Sequence, residues 1–190
     1  MKDAFTLSPD ENVKESQELS HMFRSIFEST KIVIGAVHGN VFGGGNGLVA
    51  VCDIAYCLSD ARFSLSETRI GMAAVSITPY LLQKMAAADL KELIFTAKTF
   101  GGEEAEKYGL INQSFPTQQS MDQHVQDLVE QILANGAQAL ITSKKLINNL
   151  TMRQMSGILE QVPVWLAQIR VSPEAVDGFS AFLEKRKPVW

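Results

Sequence analysis

Short apolar runs and longer helical patterns alternate along the chain. Residues 32–37 form an apolar run rich in β-branched side chains, which is typical of a strand buried on both faces of a parallel sheet. Residues 54–58 indicate a second buried strand. Residues 62–65 and 110–115 indicate two further short strands, so the pattern predicts a small sheet with helices around it.

Helical periodicity covers most of the remaining chain. Ser8-Pro9-Asp10-Glu11 combines a capping box with proline at the first helical position, so a helix should begin there. Its apolar residues recur every three or four positions and should pack against the sheet. Pro163 should kink or split the periodic stretch from Met152 to Ile169. Other helices are predicted from Pro79, from Asp89, within residues 101–109, from Met121, within residues 137–150 and from Ser172.

A glycine-rich turn follows the first predicted strand. Gly43, Gly44 and Gly45 allow backbone torsions that side chains forbid, and they let another molecule approach the main chain closely. Residues 47–51 continue as a small-residue helix, so the N–H groups of the turn should attract an anion or an oxygen that becomes anionic. No lysine followed by Ser or Thr closes the turn, which excludes a P-loop, and the contiguous glycines do not fit the dinucleotide fingerprint. By itself the turn fits a tight structural turn and a site equally well.

Composition is that of an ordinary globular domain. The chain has 190 residues, of which 46% are hydrophobic and 20% charged, with a formal charge of −4. These values argue against disorder, a membrane span and a general affinity for nucleic acid. Cys52 and Cys57 have no C-x-x-C spacing, and the three histidines have no ligand spacing. We therefore expect small buried cysteines in a reducing cytoplasm, and no metal site.

Two charged features have both a simple and a functional interpretation. Glu67 comes just beyond a predicted strand and near Gly71, where a carboxylate can reach into a pocket, although a lone glutamate is more often a solvated surface residue. The basic cluster at residues 185–187 suits the C-terminal end of a helix dipole and needs no other explanation.

The segment VHGNVFGGGNGLVAVCDIAYCLSDARFSLSETRIGM resembles the signature of the enoyl-CoA hydratase/isomerase (crotonase) family. It contains a GGG turn, a CDI segment and then ARF-x-x-x-E-x-x-x-G. The later pieces FTAKTFGGEEAEKYGLINQSFP and GFSAFLEKRKPVW resemble the same family in the expected order, so the resemblance covers almost the whole chain. Gly47-Leu48-Val49 and Ile77-Thr78-Pro79-Tyr80 are most similar to the bacterial methylglutaconyl-CoA hydratase branch.

The resemblance implies an α/β fold of the crotonase-like ββα spiral type. Residues 1–135 would form the core, and residues 136–190 a C-terminal helical region that mediates assembly into a homotrimer or hexamer. In relatives, several strands and a loop that supplies one N–H donor come before the first helix. We expect an N-terminally truncated chain here, whether as a fragment, through a late start codon or as a truncated relative.

The resemblance also implies a chemistry. Adding water to an enoyl-CoA, or shifting its double bond, passes through an enolate on the thioester oxygen. Glu67 would be the general acid or base, and the Gly44 N–H would stabilise that oxygen. Lys185 would contact the phosphates of coenzyme A, which belongs to the substrate, so no separate cofactor is expected. The predicted substrate-binding residues are Phe42, Gly43, Gly45, Asn46, Gly71, Met72 and Tyr80.

Two departures from the family pattern leave the reaction open. The best-known hydratases carry a second glutamate at the position of Gly47, so here Glu67 alone would act as base toward water and acid toward carbon. A double-bond isomerase needs only one carboxylate and is the rival, and an inactive relative that only binds CoA or partners is a third possibility. Asn46 is expected to orient a water. Met72-Ala73-Ala74 replaces a segment in which hydratases of this branch usually have proline.

Overall fold

A computed structural model describes residues 8–152 and 156–189. Within them the strands are β1 (Ile34–Val37), β2 (Val41–Phe42), β3 (Ile54–Leu58), β4 (Arg62–Ser64), β5 (Thr99–Gly101) and β6 (Gln113–Phe115). The helices are α1 (Pro9–Phe27), α2 (Gly44–Ala50), α3 (Thr78–Lys84), α4 (Ala87–Thr96), α5 (Gly102–Lys107), α6 (Gln118–Leu133), α7 (Ala137–Met152), α8 (Ser156–Arg170) and α9 (Pro173–Glu184), with a 3₁₀ helix at Glu67–Ile70. No described helix is both long and apolar enough to cross a lipid bilayer.

The strands form two small sheets. β1, β3 and β6 are parallel and lie in that order, with Ile34 opposite Ile54 and Tyr56 opposite Gln113. In the second sheet β2 pairs parallel with β4, and β4 pairs antiparallel with β5. The predicted strands are confirmed, but β2 and β5 were missed because two or three residues are too few to show a period.

β1 is not buried on both faces, so that prediction is wrong. It lies at the edge of the described sheet, and its residues are only partly buried or exposed. By contrast, the three central residues of β3 are buried between two parallel neighbours. A continuous apolar run indicates a strand but does not say how many neighbours cover it.

α1 begins as predicted but packs elsewhere. The Ser8 hydroxyl accepts a hydrogen bond from the Glu11 N–H at 3.3 Å, and the Glu11 carboxylate accepts one from the Ser8 N–H at 2.8 Å. The buried face of the helix lies mainly along α8, with Phe27 also against α3, rather than on the sheet. Helical periodicity defines a buried face but does not identify its partner.

The C-terminal helices differ from prediction at one point. α8 continues through Pro163 as one helix, so Pro163 does not split it, and the alternative of a kink stays a prediction. Residues 153–155, which belong to the same predicted stretch, lie outside the described residues. α9 begins where its sequence indicates, because the Ser172 hydroxyl accepts a hydrogen bond from the Ala175 N–H at 3.2 Å.

α9 packs directly on the 3₁₀ helix. A side chain at Gly178 would lie 2.5 Å from the carbonyl carbon of Ile70. Gly71, with φ of 66°, approaches the backbone of Glu174 equally closely, and a side chain there would lie 2.7 Å from the Ala175 nitrogen. Both positions therefore require glycine.

A buried ion pair fixes α7 to the base of the first sheet. The ammonium group of Lys144, whose side chain is 6% exposed, donates to Asp53 Oδ2 at 2.7 Å and to the Lys31 carbonyl at 2.9 Å. Asp53 Oδ2 also accepts from the Val33 N–H at 2.7 Å. One carboxylate thus joins the helix to the segments that precede β1 and β3.

Replacing Lys144 with methionine should lower the free energy of unfolding by about 3 kcal/mol, because removing one partner leaves a buried charge uncompensated. Chemical denaturation monitored by circular dichroism measures this. Lys145→Met is the matched control, since Lys145 is exposed and its replacement should change stability by less than about 0.5 kcal/mol. Equal losses in the two variants would show that the pair does not hold the helix.

Candidate active site

The glycine turn and Glu67 follow neighbouring parallel strands. The turn comes directly after β2, and Glu67 comes three residues after β4. Because the carboxyl ends of paired parallel strands meet at one edge, both lie at the same end of the second sheet. Gly43, with φ of 53° and ψ of −126°, turns the chain sharply into α2, and its N–H donates to the Ser64 carbonyl at 3.0 Å. Such a backbone conformation requires glycine.

The Glu67 carboxyl group lies against the turn. A side chain begun at Gly43 would come within 3.5 Å of Glu67 Oε1 and 3.8 Å of its carboxyl carbon. The carboxyl group therefore lies within van der Waals contact distance of this position in the turn. The structure brings together the predicted acid and the predicted glycine turn, and their catalytic roles remain predictions.

Burial changes the acidity of Glu67. Loss of solvent raises the pKa of its carboxyl group, and a hydrogen bond with its own backbone N–H only partly opposes this. Oε2 is buried and has no hydrogen-bond partner among the described residues. A carboxyl group with a raised pKa gives up and takes back a proton closer to neutral pH, as acid–base catalysis requires.

Gly44 is open to a ligand. It is exposed, nothing lies within 4 Å of the point where a side chain would begin, and its N–H has no acceptor in the described part of the chain. Phe42 precedes the turn with half of its surface exposed, at 50%. Gly45 is less open, since a side chain there would lie 3.3 Å from Val41.

Asn46 holds the turn from inside the protein. Its exposure is 0%, and Nδ2 donates to the carbonyls of Val41 at 3.2 Å, Gly43 at 3.1 Å and Ser64 at 2.9 Å. The Nδ2 group thus has a structural role, which the sequence did not indicate because the three acceptors are backbone groups. The substrate contact and the orientation of a water by Asn46 stay predictions.

Tyr80 is also part of the core. It is 2% exposed and packs against Phe23 and Phe27 of α1, with ring centroids 6.2 and 5.4 Å away. Burial raises the pKa of its hydroxyl to about 12. Little of its surface is accessible in this structure, and the substrate contact by Tyr80 stays a prediction. Its position on α3 faces the aromatic residues of α1, a partner that sequence spacing does not reveal.

Gly71 and Met72 lie beside the acid. The Met72 N–H donates to the Glu67 carbonyl at 3.0 Å. Both residues, together with Thr68, border a cleft of about 310 Å³ that the α8–α9 connection closes on the other side. The close contact with α9 accounts for glycine at position 71. The substrate contact by Met72 stays a prediction.

Lys185 is an exposed residue at the end of α9. It ends α9 in the left-handed conformation with φ of 53°, is exposed and forms no ion pair with any described residue. Its neighbour Arg186 is engaged, with Asp177 and Glu184 each at 2.7 Å. The predicted contact with CoA phosphates stays a prediction.

The position of the second glutamate of known hydratases is filled. A side chain at Gly47 would lie 2.8 Å from Phe23 Cε1 and would overlap Ile77 Cγ2. The packing of α1 and of the start of α3 against α2 therefore requires glycine at this position. The sequence shows that the second glutamate is absent, but it does not show that Phe23 and Ile77 occupy its space.

Solved structures share this arrangement of elements. An enoyl-CoA hydratase from Mycobacterium avium superposes with a TM-score of 0.88 at 34% identity, over 95% of this chain and 70% of that one. At this identity and TM-score, the superposition shows that the chain has the crotonase fold. The family model described as "Enoyl-CoA hydratase/isomerase" matches residues 1–190, and the chain belongs to that family, which acts on acyl-CoA thioesters.

Characterised relatives carry different names. The peroxisomal Delta(3,5)-Delta(2,4)-dienoyl-CoA isomerase of Arabidopsis thaliana is 30% identical over 189 residues, which are 95% of this chain and 68% of that protein. The carnitinyl-CoA dehydratase of Escherichia coli K12 is 33% identical over 175 residues, 87% of this chain and 65% of that protein. The chain thus spans about two thirds of the length of these relatives.

Gly47→Glu should not create a second acid. The side chain would meet Phe23 and Ile77, and overpacking together with burial of a charge should cost more than about 3 kcal/mol of stability. Leu48→Glu is the matched control at the next position, where the side chain is 45% exposed and a charge remains solvated. Thermal and urea unfolding of both variants test this. A stable Gly47→Glu protein with faster hydration would contradict the packing argument.

Glu67→Gln should stabilise the protein at neutral pH. The folded-state pKa of Glu67 is raised, so the wild type has its full stability below the ordinary value of 4.5 and loses part of it as pH rises through the folded-state pKa. Glutamine does not ionise, so its advantage should appear at pH 7 and vanish near pH 4. Thermal unfolding across that range measures it.

Glu92→Gln is the control for this effect. Glu92 is exposed, and the pKa of its carboxyl group is lowered by a hydrogen bond from Lys98 at 2.7 Å. Its replacement should give no gain at pH 7. If Glu67→Gln behaves like Glu92→Gln, burial does not disfavour the Glu67 carboxylate.

Proposed function

We propose that this chain is an acyl-CoA hydratase that adds water to an enoyl-CoA through an enolate. The observation that carries the proposal is the placement of a partly buried carboxyl group, Glu67, against Gly43, whose neighbour Gly44 has an N–H without an acceptor in the described part of the chain. The first group can move protons, and the second can donate a hydrogen bond to the thioester oxygen.

A single carboxyl group is sufficient for the proton balance. Ionised Glu67 takes a proton from water as the water oxygen bonds to the β-carbon of the enoyl thioester. The double-bond electrons move to the thioester oxygen, whose charge the Gly44 N–H stabilises. When the enolate collapses, Glu67 returns the proton to the α-carbon, so that one molecule of water has been added and the carboxylate is restored.

The names of relatives support hydration. The mycobacterial structure is called an enoyl-CoA hydratase, and the Escherichia coli relative is called a carnitinyl-CoA dehydratase. A branched or methylglutaconyl-type acyl group is the proposed substrate, because Gly47-Leu48-Val49 and the segment before Tyr80 are most similar to that branch of the family.

A double-bond isomerase is the second candidate. Its support is the packing around Gly47, which leaves no room for another carboxylate there, since one acid can carry a proton between two carbons of the substrate. The Arabidopsis relative is named as an isomerase. The third candidate is an inactive member that only binds CoA or partners.

The resemblance extends the proposal to assembly and location. We propose a homotrimer or a hexamer formed through residues 136–190, in the cytoplasm. Lys185 would reach the phosphates of acyl-CoA bound to a neighbouring subunit.

Assays with two substrates separate the candidates. Hydration of 2-enoyl-CoA removes the ultraviolet absorbance of the conjugated thioester, whereas isomerisation of 3-enoyl-CoA creates it. We expect the first reaction, and Glu67→Gln should lower its rate by about 10²- to 10⁴-fold. Glu103→Gln, on an exposed face of α5, is the control and should retain the wild-type rate.

The alternative outcomes are equally specific. A gain of absorbance with 3-enoyl-CoA, together with no loss of absorbance with 2-enoyl-CoA, would establish the isomerase. Acyl-CoA binding in calorimetry without turnover of either substrate would establish the inactive member. Undiminished turnover by Glu67→Gln would overturn the proposed role of the acid.

A further inference from the structure

A second cavity lies at the C-terminal end of α2, where Ala50 and Val51 line it, and at the end of the first sheet from which β1 and β3 begin. Its walls include Ile32 and Asp53, which precede β1 and β3, whereas the chain reaches the glycine turn beyond the other end of β1. α7 closes one side and the end of α3 another. The cavity volume is about 410 Å³, within the range that small-molecule sites occupy. Its apolar lining includes Phe27, Ile32, Ile132, Leu140 and Ile147.

Two lysines border this cavity, and only one of them is neutralised. Lys144 is paired with Asp53 at 2.7 Å. Lys84 lines the same cavity but forms no ion pair and donates no hydrogen bond within the described residues. Burial lowers the pKa of Lys84, although the nearby carboxylate of Asp53 acts in the other direction. The cavity thus has one surplus cation in an environment that disfavours an unpaired charge.

The unpaired ammonium group of Lys84 is satisfied by an oxygen acceptor, and best by one that carries a negative charge. A single carboxylate supplies both, which matches the one surplus cation in the cavity wall.

We propose that this cavity binds an apolar molecule that carries one carboxylate, such as a medium-chain fatty acid. The carboxylate lies at Lys84, and the hydrocarbon chain lies along the apolar wall of α6 and α7. A phosphate with two charges fits less well, because only one cation is unpaired and the remaining wall is mostly apolar. The site is separate from Glu67 and does not depend on the proposed reaction.

Calorimetric titration of the full chain with octanoate tests the proposal. Octanoate should bind, whereas octylamine, which has the same chain and the opposite charge, should not. Lys84→Met keeps the apolar stem of the side chain and removes the cation, so it should weaken octanoate binding by about 10- to 100-fold. Lys145→Met, on the exposed face of α7, is the matched control and should bind as the wild type does.

A cavity-filling variant gives an independent readout. Leu140→Trp places extra volume against the hydrocarbon chain and should reduce binding while leaving Lys84 in place. The proposal is overturned if octanoate produces no heat at millimolar concentration, if octylamine binds as well as octanoate, or if Lys84→Met binds as tightly as Lys145→Met. Circular dichroism of each variant confirms that the comparison is made between folded proteins.

Discussion

One buried amide sets the geometry on which the candidate site depends. Asn46 donates to carbonyl groups of β2, of the glycine turn and of β4, so it ties the strand that ends at the turn to the strand that leads to Glu67. Without that connection, the acid and the Gly44 N–H would belong to two segments joined by two residues of strand pairing and by the hydrogen bond from the Gly43 N–H to the Ser64 carbonyl. Because the amide is fully enclosed, its hydrogen bonds do not compete with water, and their directional requirement fixes the turn.

The acid itself is held in an environment that does not favour its charge. Glu67 has one oxygen against a glycine and another buried without a partner, so the folded protein tolerates an ionised carboxylate at some cost in stability. Structures accept such costs where a group must exchange a proton, and this is the physical sense in which the site differs from the solvated glutamates elsewhere on the surface. Phe23 and Ile77 fill the space beside Gly47, so a second carboxylate has no room there. The proposed proton transfers would therefore fall to Glu67.

Sequence patterns predicted the parts of this site that are local. The GGG turn and the capped helices can be read from neighbouring residues, because glycine torsions and capping bonds act over three or four positions. Glu67 was singled out by the family resemblance, since its local sequence alone favours a solvated surface glutamate. The roles of Asn46 and Tyr80 could not be read in this way. Each depends on a partner far along the chain or on a backbone carbonyl, and neither has a sequence pattern. The edge position of β1 was missed for the same reason, since an apolar run does not identify its neighbours.

The contact between Gly178 and the end of the 3₁₀ helix connects the C-terminus to the acid. Glu67 is the first residue of that short helix, and Ile70, its last, touches α9 where only a hydrogen atom fits. A shift of α9 by the size of one methyl group would therefore press on Ile70, which lies within one helical turn of Glu67. An affinity tag or fusion partner attached after α9 can therefore shift the helix that packs against the segment carrying the acid. A recombinant protein with such an addition is best compared with one from which the addition has been removed.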